Sequence, residues 1–137
     1  MTATLVKGKE TIRTTTYDPP LICENGIDSS TVDQEIDPPF TLFYAVLPPG
    51  ARTRSRYYTN CACGIYMVKG NLRYAYCGSK NDEHREEVEE GDYIYTPKGE
   101  RHSLQNLSFK ESAAFVMVLV GVTGREGADR MYVESPS

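Results

Sequence analysis

Arg52, Arg54, Arg56 and Tyr58 recur at every second position in one short stretch. Side chains of an extended strand alternate between faces, so this spacing sets three guanidinium groups and a phenol on one side. Arginine presents a planar fork of donors that matches carboxylate or phosphate and keeps its charge when buried. Such a row suits the grip of a small anion, with Tyr58 able to donate to developing negative charge. The alternative for Arg52 and Arg54 is a place on the rim or surface, paired with acidic side chains. His102, one of only two histidines beside His84, is the candidate general acid or base. Cys61 and Cys63 stand two residues apart, and with His102 and Cys77 they offer an alternative thiolate site for zinc or iron. Small buried cysteines are also ordinary core residues, and Cys-x-Cys is not the spacing of common zinc modules, so no metal is the favoured reading. Cys63 is in addition a candidate nucleophile or proton-transfer partner, although no neighbour in sequence would activate it.

These side chains need a scaffold, and the pattern from Phe40 onward is strand, turn, strand. Strands are expected over Thr41 to Leu47, Arg52 to Tyr58, Gly64 to Val68, Leu72 to Tyr76, Asp92 to Tyr95, Arg101 to Asn106 and Ser112 to Val120. The run Ala113 to Val120 is apolar on both faces and should be the most buried. Lys69-Gly70-Asn71 reads as the tight turn of a hairpin, since Gly accepts positive φ and Asn tolerates it. Residues 79–92 carry seven carboxylates and read as a solvated loop with a short strand near Val88. The alternation of Tyr74 with Tyr76 and of Tyr93 with Tyr95 gives aromatic walls, and register decides which pair faces inward. Residues 1–39, punctuated by Pro19-Pro20 and Pro38-Pro39, form an N-terminal arm with short strands; residues 122–137 form a polar tail over the surface or a neighbouring subunit. There is no convincing helix and no repeat.

The segment Gly91-x5-Pro97-x-Gly99-x2-His102-x3-Asn106 resembles the second motif of the cupin family at every fixed position. The family's first motif, G-x5-H-x-H-x4-E-x6-G, keeps its two glycines as Gly50 and Gly70, but its ligand positions hold Arg56, Tyr58 and Cys63. The resemblance covers about residues 40 to 120 and implies an all-β, single-domain, double-stranded β-helix of the jelly-roll kind, with a barrel over residues 40–121 enclosing a ligand cavity. It implies further that positions 56 and 58 face inward, which would line the cavity or its mouth with Arg52, Arg54, Arg56, Tyr58 and Asn106. A guanidinium at a ligand position opposes a bound cation, so the family's usual metal is not expected.

A chain of 137 residues fits one compact domain. Its net charge of −4 argues against general nucleic-acid binding, which needs a basic face. No run approaches the ~18 apolar residues of a membrane span and no signal-like stretch opens the chain, so a cytoplasmic protein with free thiols is expected. Ten tyrosines without a tryptophan suit a cavity that is partly polar. Three readings remain open: a metal-independent isomerase, epimerase or lyase acting through His102, Tyr58 and Cys63; a sensing module that binds a small anion without chemistry; and a zinc or iron enzyme on Cys61, Cys63 and His102. By analogy with cupins a homodimer is expected, with the apolar edge near Phe40 to Leu47 and the arm as the interface.

Overall fold

The structure, a computed structural model, describes residues 3–78 and 82–133. The first residues of the expected acidic loop (79–81), the first two of the arm and the last four of the tail lie outside the described residues. Apart from two 3-10 turns, Gly8–Glu10 and Arg125–Gly127, the regular structure of the described chain is β: β1 (Arg13–Thr14), β2 (Ile22–Ile27), β3 (Phe40–Leu47), β4 (Arg56–Tyr58), β5 (Ala62–Lys69), β6 (Leu72–Cys77), β7 (Glu83–Val88), β8 (Tyr93–Thr96), β9 (His102–Asn106), β10 (Ala113–Val120) and β11 (Arg130–Tyr132). They form two facing antiparallel sheets, one in the order β1-β2-β3-β10-β5-β8 and one in the order β11-β4-β9-β6-β7. No described helix is long and apolar enough to cross a membrane.

Strand β10 lies between β3 and β5, which explains its lack of a polar face. Phe115, Met117 and Leu119 on its inner side are at most 1% exposed and meet Ala45, Leu47 and Met67 from its neighbours. Each such large side chain contributes roughly 1.5–3 kcal/mol by leaving water. This core makes one wall of the barrel stiff.

The expected hairpin at Lys69-Gly70-Asn71 is a corner instead. The turn forms, with Gly70 at φ +79°, yet β5 pairs with β10 and β8 whereas β6 pairs with β9 and β7. Met67 and Leu72 flank the turn and are 0% and 1% exposed. Both can reach one core when the chain crosses from one sheet to the facing one. Turn residues set dihedral angles and leave the choice of pairing partner to the flanking strands. A Cβ at Gly70 would stand 3.1 Å from Ala113 Cα, so the corner asks for glycine on space as well as on φ.

Two further expectations change. The acidic stretch is a strand, β7, aligned along β6 over six residue pairs; its charges line a free sheet edge, where they discourage pairing with another chain. The tail does not merely wrap the surface, because β11 adds to the second sheet beside β4 and carries Arg130 to the barrel interior.

Candidate functional site

The arginine row breaks after its second member, Arg54. Arg52 bridges Gln105 and Arg56 pairs with His102, so the chain takes four steps where its partner takes three. An extra residue in one strand resets the side-chain alternation, as in a β-bulge. Thr53 and Arg56 therefore point inward, both 0% exposed, and the expectation that Arg52 and Arg54 share the face of Arg56 is corrected. Arg54 lies outside over the Tyr132 ring, 4.2 Å from its centre, and Arg52 borders a shallow outer hollow with Arg73, Glu83 and Arg85.

Inside the barrel, Arg56 meets a carboxylate that nothing in the local sequence marks. Its Nη1 donates to Asp18 Oδ1 at 3.0 Å and its Nη2 lies 2.9 Å from Asp18 Oδ2, off the hydrogen-bond line. Asp18 is 4% exposed and comes from the arm between β1 and β2. Arg130 approaches the same carboxylate, Nε to Oδ2 at 3.8 Å, and its guanidinium sits 5.3 Å from the centre of the Tyr58 ring. Tyr58 Oη and Arg130 are close enough to interact electrostatically, yet neither Tyr58 Oη nor Arg130 Nε completes a hydrogen bond of good geometry among the described residues. Burial is the largest single influence and works against the charge on Arg56, but the groups around it, Asp18 among them, together hold the guanidinium above its ordinary value.

His102 enters on β9 as the second motif requires. Its Nδ1 is 3.0 Å from the Glu100 carbonyl, which can only accept, so that nitrogen carries the proton. Nε2 is then the acceptor of the Arg56 Nε–H at 3.4 Å. Burial first, and the Arg56 charge second, push the imidazole down to about 3. His102 is thus a neutral acceptor at neutral pH. Burial also raises the Tyr58 hydroxyl and the Cys63 thiol, each to about 12, keeping both protonated. Cys61 is buried beside Cys63's end of β5, and all four cysteines are free thiols. Asn106 is spent on structure: its Nδ2 donates to the carbonyls of Leu47, Pro48 and Glu111, and its Oδ1 accepts from Ser108 N, tying two loops together.

The residues at the family's ligand positions do not fit a metal ion. A fully buried guanidinium occupies one position and spends its Nε–H on the imidazole nitrogen that a metal would need. Among the described residues no group of three or more His, Cys, Asp or Glu is gathered as a metal site would require.

The barrel mouth has different chemistry. A cavity of about 510 Å³ opens between β6 and β7 on one side and β8 on the other, lined by Tyr74, Tyr76, Tyr93, Tyr95, Glu86 and Glu100 among others. Tyr74 and Tyr76 face inward and stack, centroids 5.1 Å apart at 22°. Tyr93 and Tyr95 are on the outer rim, 80% and 70% exposed. The floor is closed by a 2.6 Å hydrogen bond between the Tyr74 hydroxyl and Thr96 Oγ1, beyond which lies His102.

The cupin-domain family profile matches residues 43–119. No curated protein matches the sequence. Among solved structures, oxalate decarboxylase from Bacillus subtilis at pH 4.6 superposes with a TM-score of 0.79 and 21% identity, covering 97% of this chain and 32% of that one. A structure of the same Bacillus subtilis protein concerned with its Mn(II) centers gives a TM-score of 0.74 and 22% identity, covering 93% and 32% of the two chains. The chain spans about a third of the length of these proteins, and at that identity the likeness is one of fold.

Proposed function

Since the chain belongs to the cupin domain family, we propose that its barrel is a metal-independent binding interior in which Arg56 and Arg130 hold the carboxylate of a small organic anion. One observation carries this reading: two arginines with buried side chains, Arg56 and Arg130, converge on a carboxylate, that of Asp18, beside the ring of Tyr58. The interior has the chemistry of a carboxylate site, and Asp18 fills it when no ligand does. A ligand enters from the side of the arm by displacing Asp18, because the mouth on the far side carries carboxylates that repel an anion. Binding is favoured over turnover. His102 has no proton to give from Nε2 and is a weak base, and Cys63 is held as a thiol.

Calorimetric titration with formate, acetate and malonate, on wild type and on Asp18→Ala, tests the reading. Saturable binding to both, tighter to the variant, is the expected result, since the variant no longer supplies a competing carboxylate. Binding to Asp18→Ala alone would make Asp18 a fixed structural counterion and overturn the proposal, as would binding to neither.

A further inference from the structure

We propose that the outer face of the first sheet is the surface on which a second copy of this chain docks, the two sheets packing face to face about a two-fold axis. This face shares no residue with the arginine site, and its role stands whether or not that reading survives. β3 is not the free edge that its sequence suggests: β2 and β10 flank it, and the strands of the arm extend the sheet beyond it. What β3 offers to solvent is a face.

That face is apolar across four strands. Ladder partners point the same way, so one row runs Tyr44, Val116, Tyr66, Tyr93 and the next runs Leu42, Val118, Gly64, Tyr95. The intervening residues, Phe43, Met117, Ile65 and Ile94, are the buried ones that turn to the core. No charged residue stands at an outward position of these strands, and the first charge met beyond β3 is Glu24 on β2, already paired with Arg13. The outer face of the second sheet is unlike it, with Arg52, Arg73, Glu83 and Arg85 around one hollow. Four strands about 4.8 Å apart, at about 3.3 Å per residue, cover roughly 500 Å². Two copies would therefore hide about 1,000 Å² in projection, which reaches the size of a specific interface before the relief of the side chains is counted.

The relief is self-complementary. Gly64 leaves a groove of about 240 Å³ walled by Leu42, Val116, Val118 and the packed rings of Tyr66 and Tyr93, whose centroids are 4.8 Å apart. Beside it, across the β5–β8 ladder, Tyr95 projects, 70% exposed and no part of the groove's wall. A hole and a knob side by side on one face suit an isologous contact, because a two-fold axis between them sends the Tyr95 ring of each copy into the groove of the other. A large aromatic seated in an apolar pocket is a common anchor of interfaces. An uncharged face also meets its own image without like-charge repulsion, which two chains of net charge −4 must otherwise overcome.

Sedimentation equilibrium of the full chain, from micromolar to near-millimolar concentration, is the test. The mass should rise from 15.4 kDa to twice that value, with a dissociation constant on the order of micromolar, as suits an interface at the small end of the range. Tyr66→Lys and Tyr95→Lys, both at exposed positions, should each weaken association about tenfold or more, since each would bury an unpaired charge. Met131→Lys, at an exposed position of the other sheet, should leave it unchanged. In the wild type, amide NMR shifts that change on dilution should map to β3, β5, β8 and β10, a readout that needs no variant. A mass of one chain throughout would overturn the proposal, and binding of that monomer to phosphatidylcholine vesicles would assign the face to a lipid surface instead. Dimers that persist in both tyrosine variants, dimers lost equally in Met131→Lys, or dilution shifts confined to the second sheet would overturn it as well.

Discussion

The interior of the barrel and its mouth are separated by one hydrogen-bonded pair, Tyr74 with Thr96, and they solve opposite problems. In the interior Arg56 and His102 are sealed from water and matched by placed neighbours: Arg56 by Asp18, His102 by a carbonyl and a guanidinium N–H. At the mouth Glu86, Glu87, Asp92 and Glu100 have no ion-pair partner among the described residues, and solvent screens them. A charge that is buried can be stabilised only by placed atoms, so the interior is rigid in its demands. A charge at the surface leaves its neighbourhood unconstrained.

The two regions should therefore differ sharply when their charges are removed. Asp18→Asn leaves the Arg56 guanidinium buried without its anion, and the expected loss is about 3–5 kcal/mol of unfolding free energy, read from urea denaturation. A loss under ~1 kcal/mol would mean that the interior tolerates an unmatched charge and that the contrast is false. Acidification comes next. The folded value of His102 lies near 3, below its ordinary 6.5, so the unfolded chain binds the proton more readily between those limits. The resulting stability is fully present above pH 6.5 and is lost as the pH falls toward 3. Roughly 3 kcal/mol of it should disappear by about pH 4. The check is the difference between the pH profiles of wild type and His102→Gln, with the steeper acid limb in wild type. Smallest of all, Glu86→Gln together with Glu100→Gln at the mouth should change stability by no more than about 0.5 kcal/mol each, measured by the same denaturation. A large loss there would place the mouth carboxylates among the structural charges.

What could be read from sequence follows how local each feature is. The second motif, Gly91 to Asn106, positions its own residues over a short span, and His102 is buried in the barrel where that spacing implies. The apolar run Ala113 to Val120 announced a central strand by composition alone. Arg52 and Arg54 misled because strict alternation holds only for an unbroken strand, and the extra residue between Arg52 and Arg56 is decided by pairing with β9. The turn at Gly70 was visible as a turn, but its role as a corner depended on where Met67 and Leu72 are buried. Asp18 and Arg130 were missed altogether. They are separated from Arg56 by 38 residues and by most of the barrel, respectively, and their neighbours in sequence carry no motif. The only available signal was indirect: an arginine driven into a barrel interior requires an anion, and the carboxylates of the arm were candidates as good as those of the loop.

Strand β11 and the arm residue Asp18 both deliver charge to the barrel from outside the stretch that the family profile recognises, residues 43–119. The recognised stretch is therefore not a detachable piece. Cut at its own borders, it would keep the buried cation and shed the anion that balances it, along with the strand that covers β4. For this chain the boundary of resemblance and the boundary of electrical neutrality are drawn in different places, and an expression fragment has to respect the second.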